Sequence, residues 1–291
     1  SYDNYILKLK QNNISYEQTD IPNSLIITPA CPAHDLPGFS DGLCSIQDLA
    51  AQYCSILLSP QKDDVILDAC SAPGGKISHI FELEPKCMQI IGLEKDPKRF
   101  IKLQDTLKRL QINNKSNIQI LNQDATQPNN WINNLSNNKI KFDKILLDAP
   151  CSASGVIRRQ PDIQIHRSEQ DLKLLLKTQT ELLANLFPFL KNNGIMLYAT
   201  CSILPEENDM QIENLLSLYP DQINILKDKI LPPFNNQSKH CTQTKYGWQC
   251  LPKEYQPENY KMEENKTNKN INSPDGFYYC LIQKTKATQN K

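Results

Sequence analysis

The chain has 291 residues, enough to bury a large core, so it is not a peptide scaffold and is expected to form one substantial domain with an appendage. Lys plus Arg equals Asp plus Glu at 32 each, so the net charge gives no indication of a nucleic-acid partner, although it does not exclude a local basic patch. The 10 cysteines form no Cys-x-x-Cys pair and no Cys/His cluster, which argues against a metal site and favours reduced cytosolic thiols.

The sequence carries no recognisable targeting or membrane signal. No apolar run approaches the roughly 20 residues of a membrane span, and no basic-then-apolar signal opens the chain. We therefore expect a soluble, cytoplasmic and monomeric protein. Ser1, rather than Met, begins the chain directly in a helical pattern, which suggests that an upstream part is missing.

Residues 1–40 are predicted to be the C-terminal part of a small α/β module. Apolar residues at helical spacing indicate a helix over 2–9, and residues 24–28 have the pattern of a short strand. These elements are too small to form a core of their own. A linker follows them and places a domain boundary near residue 40. The residues that mark this linker are Pro29, Pro32, Pro37 and Gly38.

Strands and helices alternate through the remaining residues, 41–291. Apolar runs predict strands over 65–69, 89–94, 118–121, 143–149, 195–200, 221–226 and 276–283. Helical spacing predicts helices over 49–58, 76–83, 97–112, 131–135 and 168–190, with a further first turn at 205–207. Residues 232–273 are rich in Asn, Lys, Pro and Gln and are predicted to be a surface loop. The alternation indicates an α/β fold with a doubly wound, mostly parallel, seven-stranded sheet whose late strands pair antiparallel.

The loop after the strand 65–69 is a candidate for cofactor binding. It lacks the first glycine and the Ser or Thr of a Walker loop, and it does not fit Gly-x-Gly-x-x-Gly. Glu94, about 20 residues on, ends the next strand and can accept both hydroxyls of an unphosphorylated ribose. Asp124 could contact an adenine amino group. These features favour S-adenosylmethionine over a pyrophosphate cofactor; the alternative is that Gly74 and Gly75 merely form a turn and Glu94 is a solvated acid.

Two cysteines follow strands that are expected to be neighbours. Cys151 belongs to Asp148-Ala149-Pro150-Cys151, and Cys201 directly follows the strand 195–200. Because ligands bind beyond the carboxyl ends of strands in open α/β sheets, both thiols and Asp148 are expected to face one crevice. The other cysteines are interpreted as small buried hydrophobes. They are Cys31, Cys44, Cys54, Cys70, Cys87, Cys241, Cys250 and Cys280.

A cysteine nucleophile suits methylation of an unreactive carbon. A thiolate that adds to carbon 6 of a pyrimidine makes carbon 5 nucleophilic, and one cysteine would suffice. Methylation of an amino group would instead favour Asn/Asp-Pro-Pro-Tyr/Phe after the strand, and Asp148-Ala149-Pro150-Cys151 is not that pattern. The chemistry alone leaves open which of the two thiols is the nucleophile.

Several motifs together resemble the RsmB/Sun group of bacterial 16S ribosomal RNA 5-cytosine methyltransferases, within the NOL/NSUN superfamily. The match covers nearly the whole chain. Six stretches carry the resemblance: 36–39, 45–48, 72–76, 148–159, 200–208 and 275–279. The third is Ala72-Pro73-Gly74-Gly75-Lys76, the fourth ends in Val156-Ile157-Arg158-Arg159, and the fifth begins with Thr200-Cys201-Ser202. Gln160 departs from the pattern, since the family is expected to have His there, and this puts a local RNA contact in doubt.

The resemblance implies a Rossmann-like class I S-adenosylmethionine-dependent methyltransferase and assigns roles to individual residues. Cys201 would be the nucleophile, and Cys151 would assist later steps, including release of the RNA. Asp148 would hydrogen-bond the cytosine edge or the methionine amine, and Lys76 would place or polarise the base. The cofactor would be held by Cys70, Ser71, Ala72, Pro73, Gly74, Gly75, Lys76, Glu94, Asp124 and Asp148. Arg158, Arg159 and Arg167 would contact RNA, together with His166, Lys173 and Lys177; an ordinary solvated helix face is the alternative.

The resemblance also implies a larger protein. Members of the group carry a helical NusB-like domain upstream, which this chain lacks, and residues 1–40 resemble the end of a small RRM-like domain. The expected partner is 16S ribosomal RNA, before or during small-subunit assembly. Two other functions remain open on the sequence: a catalytically silent ribosome-assembly factor with the same fold, and a methyltransferase acting on another RNA, a protein or a small molecule.

Overall fold

The computed structural model describes residues 2–135, 140–229, 241–252 and 274–286. The first elements are helix α1 (Tyr2–Gln11) and a small antiparallel sheet of β1 (Tyr16–Gln18) and β2 (Leu25–Ile27). The predicted helix and the second of these strands are confirmed. Strand β1 was not predicted because two of its three residues, Glu17 and Gln18, are polar and exposed.

The main sheet contains nine strands within the described residues. They are β3 (Val65–Asp68), β4 (Gln89–Leu93), β5 (Ile118–Leu121), β6 (Phe142–Asp148), β7 (Leu190–Thr200), β8 (Ile223–Ile225), β9 (Cys241–Gln243), β10 (Trp248–Cys250) and β11 (Phe277–Lys284). Their order is β5-β4-β3-β6-β7-β11-β10-β9, with β8 paired to β11. Neighbours from β5 to β7 are parallel, whereas β11 is antiparallel to β7. The predicted α/β class, the mostly parallel sheet and the antiparallel late strands are confirmed.

Two predictions about the last third of the chain were wrong. The sheet is larger than the seven strands expected, because β9 and β10 form a hairpin within the predicted loop 232–273. Each of these strands has only three residues and few apolar ones, so no strand pattern is visible in the sequence. Cys241 and Cys250 lie opposite each other in this hairpin and are joined by a disulfide, not free as expected. Residues 230–240 and 253–273 lie outside the described residues.

Six α-helices of the described chain surround the sheet. They are α2 (Leu49–Leu58), α3 (Gly75–Leu83), α4 (Pro97–Arg109), α5 (Ile163–His166), α6 (Glu169–Leu186) and α7 (Asp209–Leu218). Side chains cap several of their starts: Asp48 accepts from the amide of Ala50 in α2, and Asp96 accepts from two amides of α4. The short helix expected near residue 131 is a 3-10 turn, Ile132–Asn134. No helix in the described ranges is long and apolar enough to span a membrane.

Successive residues of the central strands pack on opposite faces of the sheet. In β6, Ile145 and Leu147 belong to a core with α6 and α7, whereas Leu146 belongs to a second core with α2, α3 and α4. All three side chains are fully buried. This alternation explains the continuous apolar run, since both faces of a doubly wound parallel sheet are covered by helices. Polar side chains can therefore reach a ligand only where these strands end.

Candidate functional site

The carboxyl ends of three parallel strands, β4, β6 and β7, bring predicted site residues to one edge of the sheet. Strand β4 is followed by Glu94, and β6 ends at Asp148. Strand β7 is followed by Cys201, and its residue Ala199 is opposite Asp148 in the parallel register. This register carries the chain from both strands into the same crevice, as the sequence predicted.

The thiols of Cys151 and Cys201 meet in this crevice. Their Sγ atoms lie 3.4 Å apart. Cys151 is 8% exposed and Cys201 is half-buried. The hydrogen bond with Cys201, burial, and the nearby charges of Cys201 and Glu207 raise the pKa of Cys151 well above its ordinary value. Cys151 is therefore held as a neutral thiol, which can donate its S–H to the sulfur of Cys201.

Two glycines fix the backbone next to Cys201. The amide of Gly155 donates to the carbonyl of Cys201 at 2.9 Å, and the amide of Gly276 donates to the carbonyl of Gly155 at 2.9 Å. A Cβ at Gly155 would collide with the carbonyl oxygen of Gly276. Only glycine allows the three backbone segments to approach this closely, so the loop after β6 and the start of β11 both position the turn that carries Cys201.

Lys76 and Asp148 form an ion pair beside the two thiols. Lys76 Nζ donates to Asp148 Oδ2 at 2.6 Å, and both side chains are mostly buried. Burial opposes the charge of Lys76, but the adjacent Asp148 more than compensates and raises the pKa of the ammonium. Lys76 Nζ also lies 5.7 Å from the centre of the Phe277 ring. The pair supplies a fixed hydrogen-bond donor and a fixed acceptor at the edge of the crevice.

A third charged side chain, Asp68, lies next to this pair and was not predicted as a site residue. Its carboxylate is fully buried, and neither oxygen has a hydrogen-bond partner in the part of the chain that the structure describes. Burial raises the pKa of Asp68 to about 7; Lys76 opposes this effect and Asp148 reinforces it. Asp68 ends a run of apolar residues in β3, but the sequence gives no sign that its carboxylate is sealed from water.

A cavity of about 200 Å³ extends from the thiols towards β4 and β5. Its wall includes five of the predicted residues: Cys70, Glu94, Asp124, Asp148 and Cys151. Cys201 also borders it. Residues 71–76 do not line this cavity; they form the turn before α3 and the first two residues of that helix. Gly74, in the turn, has a φ of +111° that only glycine adopts easily.

The carboxylates around the cavity suit a ligand with hydroxyl and amino groups. Glu94 accepts from the amide of Asp96 at 2.9 Å, and Asp124 accepts from the amide of Thr126 at 2.9 Å. A carboxylate has about four acceptor positions, so each retains capacity for a ligand. Three acids at one cavity would repel a pyrophosphate. These carboxylate acceptors therefore fit an unphosphorylated ribose, an adenine amino group and a cationic sulfonium.

Arg99 is a further residue of this cavity that sequence reasoning did not identify. It lines the cavity, donates from Nη2 to the carbonyl of Ala72 at 2.8 Å, and its Nη1 lies 3.5 Å from Glu94 Oε2. Arg99 thus links the turn before α3 to the acid after β4. Its position on the polar side of α4 made it look like an ordinary solvated residue.

The basic residues expected to contact RNA are brought near the site but are engaged within the protein. Arg159 forms two hydrogen bonds to Asp275, one of them from Nε at 2.9 Å. Arg158 Nη2 lies 4.0 Å from Asp275 Oδ1, and Arg167 Nε donates to the carbonyl of Ser152 at 3.3 Å. Lys173 pairs with Glu169 on the exposed surface of α6. Asp275, which neutralises part of this group, was not predicted.

Comparison with known proteins agrees with this geometry. A family model described as 16S rRNA methyltransferase RsmB/F matches residues 55–281. Ribosomal RNA small subunit methyltransferase B of Pasteurella multocida is 38% identical over 285 residues, covering 98% of this chain and 56% of that protein. The protein of the same name from Escherichia coli O127:H6 is 40% identical over 222 residues, covering 76% of this chain and 49% of that protein. The chain thus spans about half the length of these relatives.

Solved structures show the same fold at lower identity. The crystal structure of NSun6 from Pyrococcus horikoshii with SFG has a TM-score of 0.65 and 24% identity, covering 91% of this chain and 60% of that one. A methyltransferase homolog from the same organism has a TM-score of 0.69 and 24% identity, covering 98% of this chain and 83% of that one. At this identity the likeness concerns the fold.

Proposed function

The chain belongs to the RsmB/F family of 16S rRNA methyltransferases, and on this basis we propose that it catalyses transfer of a methyl group from S-adenosylmethionine to carbon 5 of a cytosine in 16S ribosomal RNA. The family and fold class expected from the sequence motifs are confirmed. The position that is methylated, the covalent mechanism and the RNA substrate of this chain are the content of the proposal.

The observation that carries the proposal is the contact between the thiols of Cys151 and Cys201, 3.4 Å apart beside the Lys76–Asp148 pair. Transfer to an amino group needs no thiol, because the nitrogen already has a lone pair. Carbon 5 of cytosine has none and must be made nucleophilic first. A catalytically silent assembly factor would have no need to retain both thiols together with a buried ion pair.

The proposed reaction begins with the sulfur of Cys201. Its thiolate adds to carbon 6 of the cytosine, and the electrons of the double bond become available at carbon 5. S-adenosylmethionine would supply an electrophilic methyl group to that carbon, with S-adenosylhomocysteine as the leaving group. After methylation, a base removes the proton on carbon 5, the double bond re-forms, and the electrons of the carbon–sulfur bond return to Cys201. Cys151 assists this release by donating its S–H towards the departing sulfur.

Lys76 and Asp148 are proposed to orient the base. Asp148 can accept a hydrogen bond from the exocyclic amine of cytosine, and Lys76 can donate to the ring nitrogen or the carbonyl, which draws electrons from carbon 6 and favours thiolate addition. Each keeps its orientation through the 2.6 Å contact with the other. Asp148 also lines the cavity, which supports the proposal that it contacts both base and cofactor.

The remaining predicted residues are proposed to hold the cofactor and the RNA. Glu94 would accept the ribose hydroxyls, Asp124 would contact the adenine, and the turn 70–76 would allow close approach of the methionine part. Arg158, Arg159 and Arg167 border the loop that carries Cys151 and would contact RNA phosphates. We further propose residues 1–40 as the end of an RRM-like domain and residues 41–291 as the catalytic domain; a monomeric, cytoplasmic state stays a prediction.

The proposal is tested by methyl transfer in vitro. The full-length protein is incubated with S-adenosylmethionine and 16S RNA from cells that lack the gene, and 5-methylcytosine is mapped by bisulfite sequencing. We expect one modified cytosine with the native sequence and none with Cys201→Ala. The matched control is Cys31→Ala, which removes a free thiol outside the site. Normal methylation by Cys201→Ala, or modification of another atom, would contradict the proposal.

A further inference from the structure

Glu207 lies fully buried next to the loop that carries Cys151. It belongs to the 3-10 turn Pro205–Glu207 and is 0% exposed. Its Oε1 accepts from the amide of Ser152 at 2.7 Å, and its Oε2 accepts from the hydroxyl of Ser152 at 2.5 Å. The amide of Ser152 belongs to the peptide group that follows Cys151, so this carboxylate is bound directly to the backbone of a candidate site residue.

Gln179 links Glu207 to the peptide group on the other side of Cys151. Its Nε2 donates to Glu207 Oε1 at 3.0 Å and to the carbonyl of Pro150 at 2.9 Å. Pro150 supplies the peptide group that precedes Cys151. Both peptide groups flanking Cys151 are therefore fixed by one buried network of Gln179 and Glu207. This arrangement holds the Cys151 side chain in the orientation that places its sulfur against Cys201.

The network also places an acid beside Cys151 without a compensating cation. Among the described side chains, no Lys, Arg or His nitrogen lies within 4.0 Å of the Glu207 carboxylate. Three donors surround it instead: an amide, a hydroxyl and the side-chain amide of Gln179. These are the partners that an ionised, buried carboxylate requires. A second negative charge on the neighbouring sulfur would be disfavoured by this one.

One group opposes this effect: the backbone amide of Ala153 hydrogen-bonds Cys151 and lowers the pKa of its thiol, by less than Glu207 raises it. Cys201, from the end of β7, raises the pKa of Cys151 by hydrogen bonding and by its charge, and burial and Glu207 act in the same direction. Tyr198, also from β7, keeps its proton and donates its hydroxyl to the carbonyl of Glu207 at 2.6 Å. The cations of the site are engaged elsewhere: Lys76 is hydrogen-bonded to Asp148, and Arg167 Nε donates to the carbonyl of Ser152.

We propose that Glu207 is a positioning residue that keeps Cys151 in its thiol form, so that Cys201 is the sulfur that ionises and attacks. The inference rests on the proposed function for its catalytic meaning. The buried carboxylate makes two adjacent cysteines chemically unequal, although both lie in the same crevice. Glu207 acts through Cys151 and touches neither the base nor the cofactor site, since it does not line the cavity.

The test is the pH dependence of thiol alkylation at each cysteine. The full chain is treated with iodoacetamide between pH 6 and 11, and modification is quantified peptide by peptide, which separates Cys151 and Cys201 from the other thiols. In the native chain we expect Cys201 to be alkylated at lower pH than Cys151. Glu207→Gln keeps an acceptor for Ser152 but removes the charge, and we expect it to lower the alkylation midpoint of Cys151 by about one pH unit.

The matched control is Glu206→Gln, which removes an exposed carboxylate one residue earlier. It should leave the Cys151 midpoint unchanged, and Glu207→Asp, which keeps the charge, should leave it high. An unchanged midpoint in Glu207→Gln, or an equal shift in Glu206→Gln, would overturn the proposal. If thermal unfolding shows that Glu207→Gln does not fold, the native chain decides: alkylation of Cys151 before Cys201 would overturn it, and the reverse order would support it.

This experiment needs neither RNA nor cofactor, so its failure is separate from failure of the proposed function. If Cys201→Ala abolishes methyl transfer while Glu207→Gln leaves alkylation of Cys151 unchanged, the proposed reaction is supported and the proposed role of Glu207 is contradicted. If Glu207→Gln shifts the alkylation midpoint of Cys151 but Cys201→Ala still methylates the RNA, the proposed role of Glu207 is supported and the covalent mechanism is contradicted.

Discussion

The Sγ atoms of Cys151 and Cys201 lie 3.4 Å apart although 50 positions separate the residues in the chain. The cause is the parallel pairing of β6 and β7, which aligns Asp148 with Ala199 and directs both following segments into one crevice. A lone cysteine in either place would be an ordinary structural thiol. Together they form a pair in which the S–H of one cysteine can donate a hydrogen bond to the sulfur of the other.

Removing the charge of Lys76 is expected to impair both stability and activity. Lys76→Met leaves Asp148 in a mostly buried position without its partner, and breaking such a pair costs about 3 kcal/mol of unfolding free energy. Methyl transfer should fall by about a hundredfold. Urea unfolding and initial rates measure the two effects. Lys62→Met, on the exposed surface, is the control.

The double variant Lys76→Met with Asp148→Asn separates charge from packing in that pair. Because it leaves no unpaired charge, it should unfold at a higher urea concentration than Lys76→Met alone while remaining inactive. Equal stability of the single and double variants would show that the pair is not electrostatically coupled.

The buried carboxylate of Asp68 should make stability depend on pH. Its pKa is raised to about 7 by burial, whereas an unfolded aspartate titrates near 3.9. The folded state therefore binds more protons between these values, so this group lowers stability as the pH rises from about 4 to about 7. Asp68→Asn should abolish this contribution to the pH dependence of the free energy of unfolding.

Urea unfolding at four pH values between 4.5 and 7.5 measures this contribution as the difference between the native chain and Asp68→Asn. The exposed Asp63→Asn serves as the control. A difference that stays constant across the range would mean that Asp68 does not titrate there.

Glu94 should contribute to binding of S-adenosylmethionine. Glu94→Gln retains one acceptor but loses the charge, and a hydrogen bond to a charged group contributes about 1.5–3 kcal/mol, so the dissociation constant should rise by about tenfold to a hundredfold. Isothermal titration calorimetry with the cofactor measures this change. Glu169→Gln, on the exposed surface of α6, should bind normally; an unchanged affinity of Glu94→Gln would remove this residue from the proposed site.

Arg159 is expected to contribute one phosphate contact in addition to its ion pair with Asp275. Arg159→Ala should weaken RNA binding and reduce the slope of log affinity against log salt by about one. Fluorescence anisotropy at several salt concentrations with a 16S RNA fragment gives this slope. Lys62→Ala, which removes an exposed lysine outside this group, is the control; if Arg159→Ala leaves the slope unchanged, Arg159 serves only to hold Asp275.

The sequence predicts the framework of this protein well because its central strands carry unusual patterns. The continuous apolar run of β6 requires helices on both faces, and the parallel arrangement then brings Cys151 and Cys201 to one edge. The missed elements have no comparable pattern. The hairpin of β9 and β10 consists of strands of only three residues each, and its place in the sheet depends on the pairing of β10 with β11.

The missed site residues are polar side chains whose burial depends on tertiary packing. Gln179 occupies a position on the apolar stripe of α6 between Leu175 and Leu182, and a polar residue at such a position is a signal that could have identified it. Asp68 and Glu207 give no such signal. Their burial results from helices and loops that are distant in sequence.

The most direct test of the account is the search for a covalent protein–RNA adduct. The native protein, Cys151→Ala and Cys201→Ala are incubated with cofactor and undermethylated 16S RNA, and adducts are separated on denaturing gels. Because Cys201 forms the bond and Cys151 assists its release, the account predicts that the adduct accumulates with Cys151→Ala and is absent with Cys201→Ala. Accumulation with Cys201→Ala and not with Cys151→Ala would contradict it and reverse the roles of the two cysteines.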